Sequence, residues 1–185
     1  MISDPDIGIG YQDIQAGAAY AAGRWAEAAA IWSSAAALSD LNQPYILPRA
    51  GHAFVLAGDD AGADGTLERL RALGTRGRAV DADRTAIAAG VAALRGDSAG
   101  ALAGYRTAMA AWRSLDLPWD EALTTLEAVT VLGTSDPEVA GWVDGARATF
   151  ERLRAAPLVD RLDEAVAAAA LPQRAPTETT VESPA

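Results

Sequence analysis

The stretch Gly23-Arg24-Trp25-Ala26-Glu27-Ala28 decides the fold, because its pattern occurs twice more along the chain. The later copies are Gly58-Asp59-Asp60-Ala61-Gly62-Ala63 and Gly96-Asp97-Ser98-Ala99-Gly100-Ala101. In each copy an alanine follows the glycine by five residues, a large apolar residue by nine and another apolar residue by twelve. The large residues are Trp32, Leu67 and Tyr105.

The three glycines lie 35 and 38 residues apart, close to the period of about 34 typical of stacked helix-turn-helix units. A glycine that ends a helix adopts a left-handed conformation, and an Asp or Ser after it can cap the next helix. Each glycine is therefore predicted to join two antiparallel helices. The predicted first helices of the three units are Tyr11–Ala22, Tyr45–Ala57 and Asp83–Arg95.

A fourth, degenerate unit is predicted after residue 115. Trp119–Leu132 forms a helix between Pro118 and Gly133, which suit its two ends. Asp136-Pro137-Glu138 then begins a helix that runs to about Arg154, since Asp caps and proline tolerates the first helical position. A last helix, about Leu158–Leu171, has one apolar stripe and is predicted to cover the end of the stack.

These elements predict an all-α fold, an α-solenoid of helical hairpins with a carboxyl-terminal capping helix. Residues 1–10 are expected to be a flexible amino terminus, and residues 11–171 a repeat domain. Residues 172–185 are rich in Pro, Thr, Glu and Ser, which cannot build a core, so a disordered tail is expected. Residues 74–82 are the predicted internal loop.

The repeated stretches, Gly23-x-Trp25-x-Glu27-Ala28 above all, resemble the tetratricopeptide repeat family. A narrower resemblance covers about residues 100–170. It includes the runs Tyr105-Arg106-Thr107-Ala108, Trp112-Arg113-Ser114-Leu115-Asp116-Leu117-Pro118, Glu121-Ala122-Leu123 and Ala146-Arg147-Ala148-Thr149-Phe150-Glu151-Arg152-Leu153. These runs are similar to the carboxyl-terminal helical repeats of actinobacterial signalling ATPases fused to nucleotide cyclase or LuxR-type DNA-binding domains. The resemblance implies a regulatory or scaffold segment.

The composition excludes several classes of function. The chain has no cysteine, which excludes disulfides and zinc–thiolate sites, and no lysine, which excludes the usual phosphate-binding loop. The formal net charge of −10 argues against nucleic acid and anionic lipid as partners. No signal peptide or membrane-spanning segment is evident, so a cytoplasmic location is expected.

The chemically suggestive residues favour structural roles. His52 is the only histidine, so neither a metal site nor a catalytic triad is expected. The carboxylate pairs Asp59-Asp60 and Asp81-x-Asp83 are interpreted as helix caps. The cluster of Arg69, Arg71, Arg76 and Arg78 is interpreted as a solvated helix end, with an acidic partner as the alternative. Trp119 is assigned to packing, with a partner anchor as the alternative.

We therefore expect no catalytic residue, metal or cofactor, and a protein or peptide as the partner. The hypothesis is a non-catalytic interaction scaffold. A small-ligand or enzymatic domain with a pocket inside the stack, or a fragment with no activity of its own, remains open. Neither the identity of the partner nor the oligomeric state follows from the sequence. The residues predicted to line a peptide-binding groove are Tyr20, Tyr45, Arg49, His52, Leu56, Ile87 and Leu94.

Overall fold

A computed structural model describes residues 5–170 of the chain, and side chains from residue 8 onward. This range consists of helices joined by short turns and contains no strand, which confirms the predicted all-α class. The helices are α1 (Pro5–Ala21), α2 (Trp25–Ala36), α3 (Gln43–Leu56), α4 (Asp60–Ala72), α5 (Arg78–Leu94), α6 (Ser98–Ser114), α7 (Pro118–Leu132), α8 (Pro137–Arg152) and α9 (Ala156–Ala169).

The repeated glycines form the turns that the sequence predicts. Gly23, Gly58 and Gly96 have φ angles of 75°, 75° and 86°, a left-handed conformation that costs glycine little. After Gly58, the Asp59 amide donates to the Phe54 carbonyl at 2.9 Å and so closes the end of α3. The Asp59 side chain then accepts from the Gly62 amide at 2.9 Å, which caps α4.

The apolar positions of the repeat form the core. Ala28, Ala63 and Ala101 have no exposed surface, which lets the two helices of each hairpin approach closely. The large residues Trp32, Leu67 and Tyr105 are also buried, at 5%, 2% and 0% exposure. The fourth unit follows the pattern with Ala146 and Phe150 but departs from it at Leu153, which is 48% exposed.

Two predicted boundaries differ from the structure. Helix α1 begins at Pro5 rather than Tyr11, because proline fits the first turn of a helix and residues 6–10 extend the apolar pattern with Ile7 and Ile9. Helix α5 begins at Arg78, so most of the predicted loop 74–82 is helical. The Arg78 guanidinium donates to Ser114 Oγ at 2.8 Å and thereby fixes that first turn on α6. The predicted tail, 172–185, lies outside the described residues.

Consecutive helices pack on one another, and α3, α5 and α7 also pack directly on each other. Helix α1 reaches α3 through the ion pair of Asp13 with Arg49. The side that these odd-numbered helices share is called here the inner face. Two contacts go beyond neighbouring hairpins: α3 packs directly on α7, and α9 reaches α1. One core cluster accordingly continues from α1 to α9 and includes Leu56 and Leu162. Helix α9 covers the end of the inner face where α1 and α7 finish, since a Cβ on Gly23 would meet the Arg161 side chain and a Cβ on Gly133 would meet Ala169. At the other end, called here the open end, Tyr45 and Trp119 are exposed.

Two turns use the same left-handed conformation without glycine, and they give a first prediction. Arg154, between α8 and α9, has a φ of 56°, where a Cβ costs about 1–2 kcal/mol. The following Ala155 amide donates to the Phe150 carbonyl at 2.8 Å, as in the glycine turns. Arg154→Gly is therefore expected to raise the free energy of unfolding by about 1 kcal/mol, measured by urea denaturation.

Gly58→Ala is the matched control for this prediction. It adds a Cβ at φ 75° in the equivalent turn and should lower the free energy of unfolding by a similar amount of about 1 kcal/mol. If both substitutions shifted the midpoint in the same direction, the left-handed conformation would not be what limits stability at these turns.

Candidate functional site

A buried carboxylate organises the middle of the inner face. Glu127 on α7 is 1% exposed and accepts two hydrogen bonds, from His52 Nδ1 on α3 at 2.7 Å and from the Tyr105 hydroxyl on α6 at 2.8 Å. His52 Nε2 lies 3.3 Å from Asp83 Oδ1 on α5. The imidazole therefore joins three odd-numbered helices through two carboxylates.

The charge state of His52 follows from these contacts. Burial lowers its pKa, but the charge of Glu127 and the hydrogen bonds to Asp83 and Glu127 raise it by more, to about 10. At neutral pH the ring is a cation, and both nitrogens donate. With neither nitrogen free to take a proton, His52 is suited to an ion pair and not to general base catalysis.

The phenols near Glu127 stay neutral. Burial and the Glu127 charge raise the pKa of Tyr20 and of Tyr105 above the ordinary value. Tyr105 has no exposed surface, and its hydroxyl serves as a donor to the carboxylate. Tyr20 is 9% exposed and stacks at a tilt on Trp32, with ring centroids 5.7 Å apart.

Polar groups at the open end of the inner face form a second cluster, called here the acidic mouth: Asp13, Arg49, Asp83 and Asp120. The Arg49 guanidinium donates to Asp13 Oδ1 at 3.0 Å, and the same oxygen accepts from Trp32 Nε1 at 2.8 Å. Burial, then the charge of Asp83, raises the pKa of Asp120 above its ordinary value. The acidic mouth thus contains three carboxyl groups and one guanidinium group.

The predicted groove residues lie at different depths. Tyr45 is 71% exposed, and Arg49 and His52 follow it along the same face of α3. Leu56, one turn deeper, is only 5% exposed and belongs to the core cluster that continues to α9. Ile87 has no exposed surface. Tyr20 is buried and Leu94 is partly buried. The structure thus brings Tyr45, Arg49 and His52 together near solvent.

Sequence reasoning missed Glu127 and assigned Asp83 differently. Asp83 was interpreted as a cap, but α5 begins five residues earlier, so its carboxylate is free to meet His52. Asp59 does cap a helix, whereas Asp60 pairs with Arg95 at 3.2 Å. A signal for Glu127 existed, since it interrupts the apolar run from residue 126 to 129 in mid-helix, where an unpaired charge would be costly.

Arg69 and Arg71 lie in the last turn of α4, as interpreted from the sequence, whereas Arg78 begins α5. Arg71 pairs with Glu68 on its own helix at 2.6 Å, and both side chains are exposed. Arg78 donates to Ser114, the last residue of α6. Arg84, outside the predicted cluster, donates to the Leu70 carbonyl at 2.6 Å near the end of α4. Two arginines of α5 thus satisfy carbonyl or hydroxyl oxygens at the ends of the flanking helices.

Besides the inner face, Trp119 and two concavities are candidates for binding. Trp119 is 36% exposed and packs edge-on against Phe150, with ring centroids 5.7 Å apart. An open cleft of about 340 Å³ lies between α4 and α6 above α5 and is lined by Arg71 and Arg84. A more enclosed cavity of about 140 Å³ lies between α6, α7 and α8, beside Trp142.

Within residues 5–170, no three metal-binding side chains are grouped so as to hold an ion. In the same range, no helix combines the length and hydropathy needed to cross a membrane. Comparisons with protein-family models, with curated proteins and with solved structures found no match to this chain.

Proposed function

We propose that this chain is a non-catalytic scaffold for protein–protein interaction, built as an α-solenoid of tetratricopeptide-like hairpins that α9 caps. The observation that carries the proposal is a set of exposed apolar side chains on α1, in the turn after α2 and at the start of α3. We call this set the amino-terminal patch: Tyr11, Ile14, Leu38, Leu41 and Tyr45, which are 63%, 73%, 51%, 81% and 71% exposed.

Such a set is uncommon on surfaces that meet only water. Single exposed apolar residues need no explanation, whereas a contiguous set is typical of interaction sites. Tyr11 and Ile14 lie within one turn of Asp13, and Tyr45 lies one turn before Arg49, its partner on α3. The ion pair therefore joins α1 to α3 beside Tyr45. Tyr11 and Ile14, in contrast, point to a different side of α1 from Asp13, because residues one or two positions apart on a helix do not share a face.

The inner-face chemistry supports binding over catalysis. Both nitrogens of His52 are engaged by carboxylates, and the two tyrosines near Glu127 stay protonated. None of these groups is left as a nucleophile or a base poised near neutral pH. The network is suited to holding α3, α5 and α7 in a fixed arrangement behind the patch.

A narrower form of the proposal is a regulatory segment that works with a signalling ATPase or a transcription regulator. The resemblance of residues 100–170 to the repeats of such proteins supports it. Because these 185 residues have no lysine, the phosphate-binding loop would belong to another polypeptide segment. A cytoplasmic location goes with this proposal.

A small-ligand-binding domain is the second candidate function, and the enclosed cavity beside Trp142 favours it. Its volume of about 140 Å³ is close to that of a cavity that holds benzene, about 150 Å³. Gly141 and Gly145 border the cavity, and a Cβ at either would meet no atom within 4 Å. Gly145→Ala should narrow this space and weaken the binding of small aromatic probes, measured by ligand-observed NMR.

Selection from a random-peptide display library tests the scaffold proposal. We expect enrichment of peptides that bind the folded chain, with a stoichiometry of one in calorimetry and no binding to the heat-unfolded chain. Failure to enrich any peptide over repeated rounds would contradict the proposal. A chain that runs as a self-associated species on sizing, without enrichment, would favour a fragment with no activity of its own.

A further inference from the structure

The amino-terminal patch has carboxylates within it and beside it. Asp13 lies between Tyr11 and Ile14 in the sequence, and Asp40 lies between Leu38 and Leu41. The exposed Asp40 carboxylate accepts a short-range hydrogen bond from Gln43 at 2.7 Å. Beyond the patch, the acidic mouth adds further carboxylates. Carboxyl groups therefore lie next to Leu41 in the turn and near Arg49, one turn after Tyr45.

The cations near these carboxyl groups are already engaged. Arg49 is committed to Asp13 at 3.0 Å, and His52 to Glu127 at 2.7 Å. Asp40 and Asp120 accept no ion pair from any side chain of residues 8–170 at 4 Å or less. Burial and Asp83 raise the pKa of Asp120, so its ionised form would gain from a nearby positive charge.

We infer that the amino-terminal patch and the acidic mouth together bind a basic amphipathic segment of another protein. This inference rests on the proposed scaffold function and specifies its partner. The apolar side chains of the segment would cover Leu41 and Tyr45. Its Lys or Arg side chains would pair with Asp40 and Asp120, giving the complementarity of charge that fixes orientation and speeds association.

A second copy of this chain fits the patch less well. Each copy has a formal net charge of −10, and a symmetric contact would place the same carboxylates against each other. Like charges facing each other across an interface oppose association. A basic partner removes this repulsion and gains from the same carboxylates.

Two synthetic peptides serve as probes. The first has leucine at helical positions i, i+3, i+4 and i+7 and lysine on its other face. The second replaces every lysine with glutamate. We expect fluorescence anisotropy to show saturable binding of the lysine peptide, weakened by added salt, and at least about tenfold weaker binding of the glutamate peptide.

Substitutions in the amino-terminal patch and in the acidic mouth test where the lysine peptide binds. The combined variant Leu41→Ser, Tyr45→Ser should weaken binding of the lysine peptide about tenfold or more. Asp40→Asn with Asp120→Asn should also weaken it and reduce its salt dependence. Leu153→Ser and Asp144→Asn are matched controls, because they change an exposed apolar residue and an exposed carboxylate on α8 and at its end. Both should leave the affinity unchanged.

The outcomes separate this inference from the scaffold proposal. Equal binding by wild type and the patch variant would show attraction to overall charge and would overturn the inference. If display selection enriched peptides that bind the patch variant as well as wild type, the scaffold proposal would stand and the inference would fail. Binding of the two probe peptides with equal affinity would overturn the basic character of the partner. Circular dichroism of each variant confirms that the helices are intact.

Discussion

His52→Leu is expected to lower the free energy of unfolding by about 3–5 kcal/mol, because it leaves the Glu127 carboxylate buried without its cation. Glu127 is 1% exposed, so water cannot replace the lost partner. The Tyr105 hydroxyl alone would remain as a donor at 2.8 Å. Urea denaturation at pH 7 measures the loss.

The double variant His52→Leu, Glu127→Leu is the control. Replacing both members of a buried ion pair with apolar residues is often neutral, since neither charge is then left unpaired. We expect the double variant to recover at least half of the stability lost by His52→Leu. A double variant as unstable as the single one would mean that the histidine contributes by packing and not by charge.

The same pair gives the stability a defined dependence on pH. The pKa of His52 is about 10 in the folded chain and about 6.5 when unfolded. Below pH ~6.5 both states hold the proton, and the stabilisation is complete. As the pH rises towards 10, only the folded chain keeps the proton, so the free energy of unfolding falls. His52→Gln should remove this slope, and a slope equal to that of wild type would contradict the assignment.

Gly90→Ala is expected to lower the free energy of unfolding by about 1–3 kcal/mol through overpacking. A Cβ on Gly90 would lie 2.6 Å from Val55 Cγ2 and 3.1 Å from the Tyr105 hydroxyl, and would also clash with Val55 Cγ1. Val55 cannot turn away easily, because β-branched side chains in helices have one preferred rotamer. α3 and α5 would have to separate. Thermal unfolding followed by circular dichroism measures the effect.

Gly65→Ala is the matched control, because a Cβ there meets nothing within 4 Å. In that exposed part of α4 alanine should stabilise the chain by about 1 kcal/mol. Val55→Ala combined with Gly90→Ala should recover part of the loss, since it removes the methyl groups that the new Cβ meets. Gly90→Ala as stable as wild type would show that α3 and α5 can move apart at little cost.

Local patterns predicted much of the helical organisation. The glycine turns and the buried Ala28, Ala63 and Ala101 follow from spacing, since neighbours along the chain decide how a hairpin closes. The contact between His52 and Glu127 could not be predicted in this way, because 75 residues separate them. Helical periodicity tells which face a side chain occupies, but not which distant helix covers that face. Leu56 and Ile87 were assigned to the groove for that reason.

The grouping of side chains in the acidic mouth could not be predicted from the sequence either. Asp83 and Asp120 sit near the beginnings of their helices, where carboxylates commonly act as caps or favour the helix dipole. Only the parallel arrangement of α3, α5 and α7 brings them to the same end as Arg49 and His52. Whether this end binds a partner stays a prediction.

The direct contact between α3 and α7 changes how the molecule should come apart. In arrays whose units touch only their neighbours, stability is close to a sum of local terms, and unfolding can begin at an end and spread unit by unit. Here α3 of the second hairpin packs directly on α7 of the fourth, and His52 pairs with Glu127 across that contact. Unfolding of either hairpin would therefore leave a buried charge of the other without its partner. We therefore expect the second, third and fourth hairpins to unfold together as one cooperative unit.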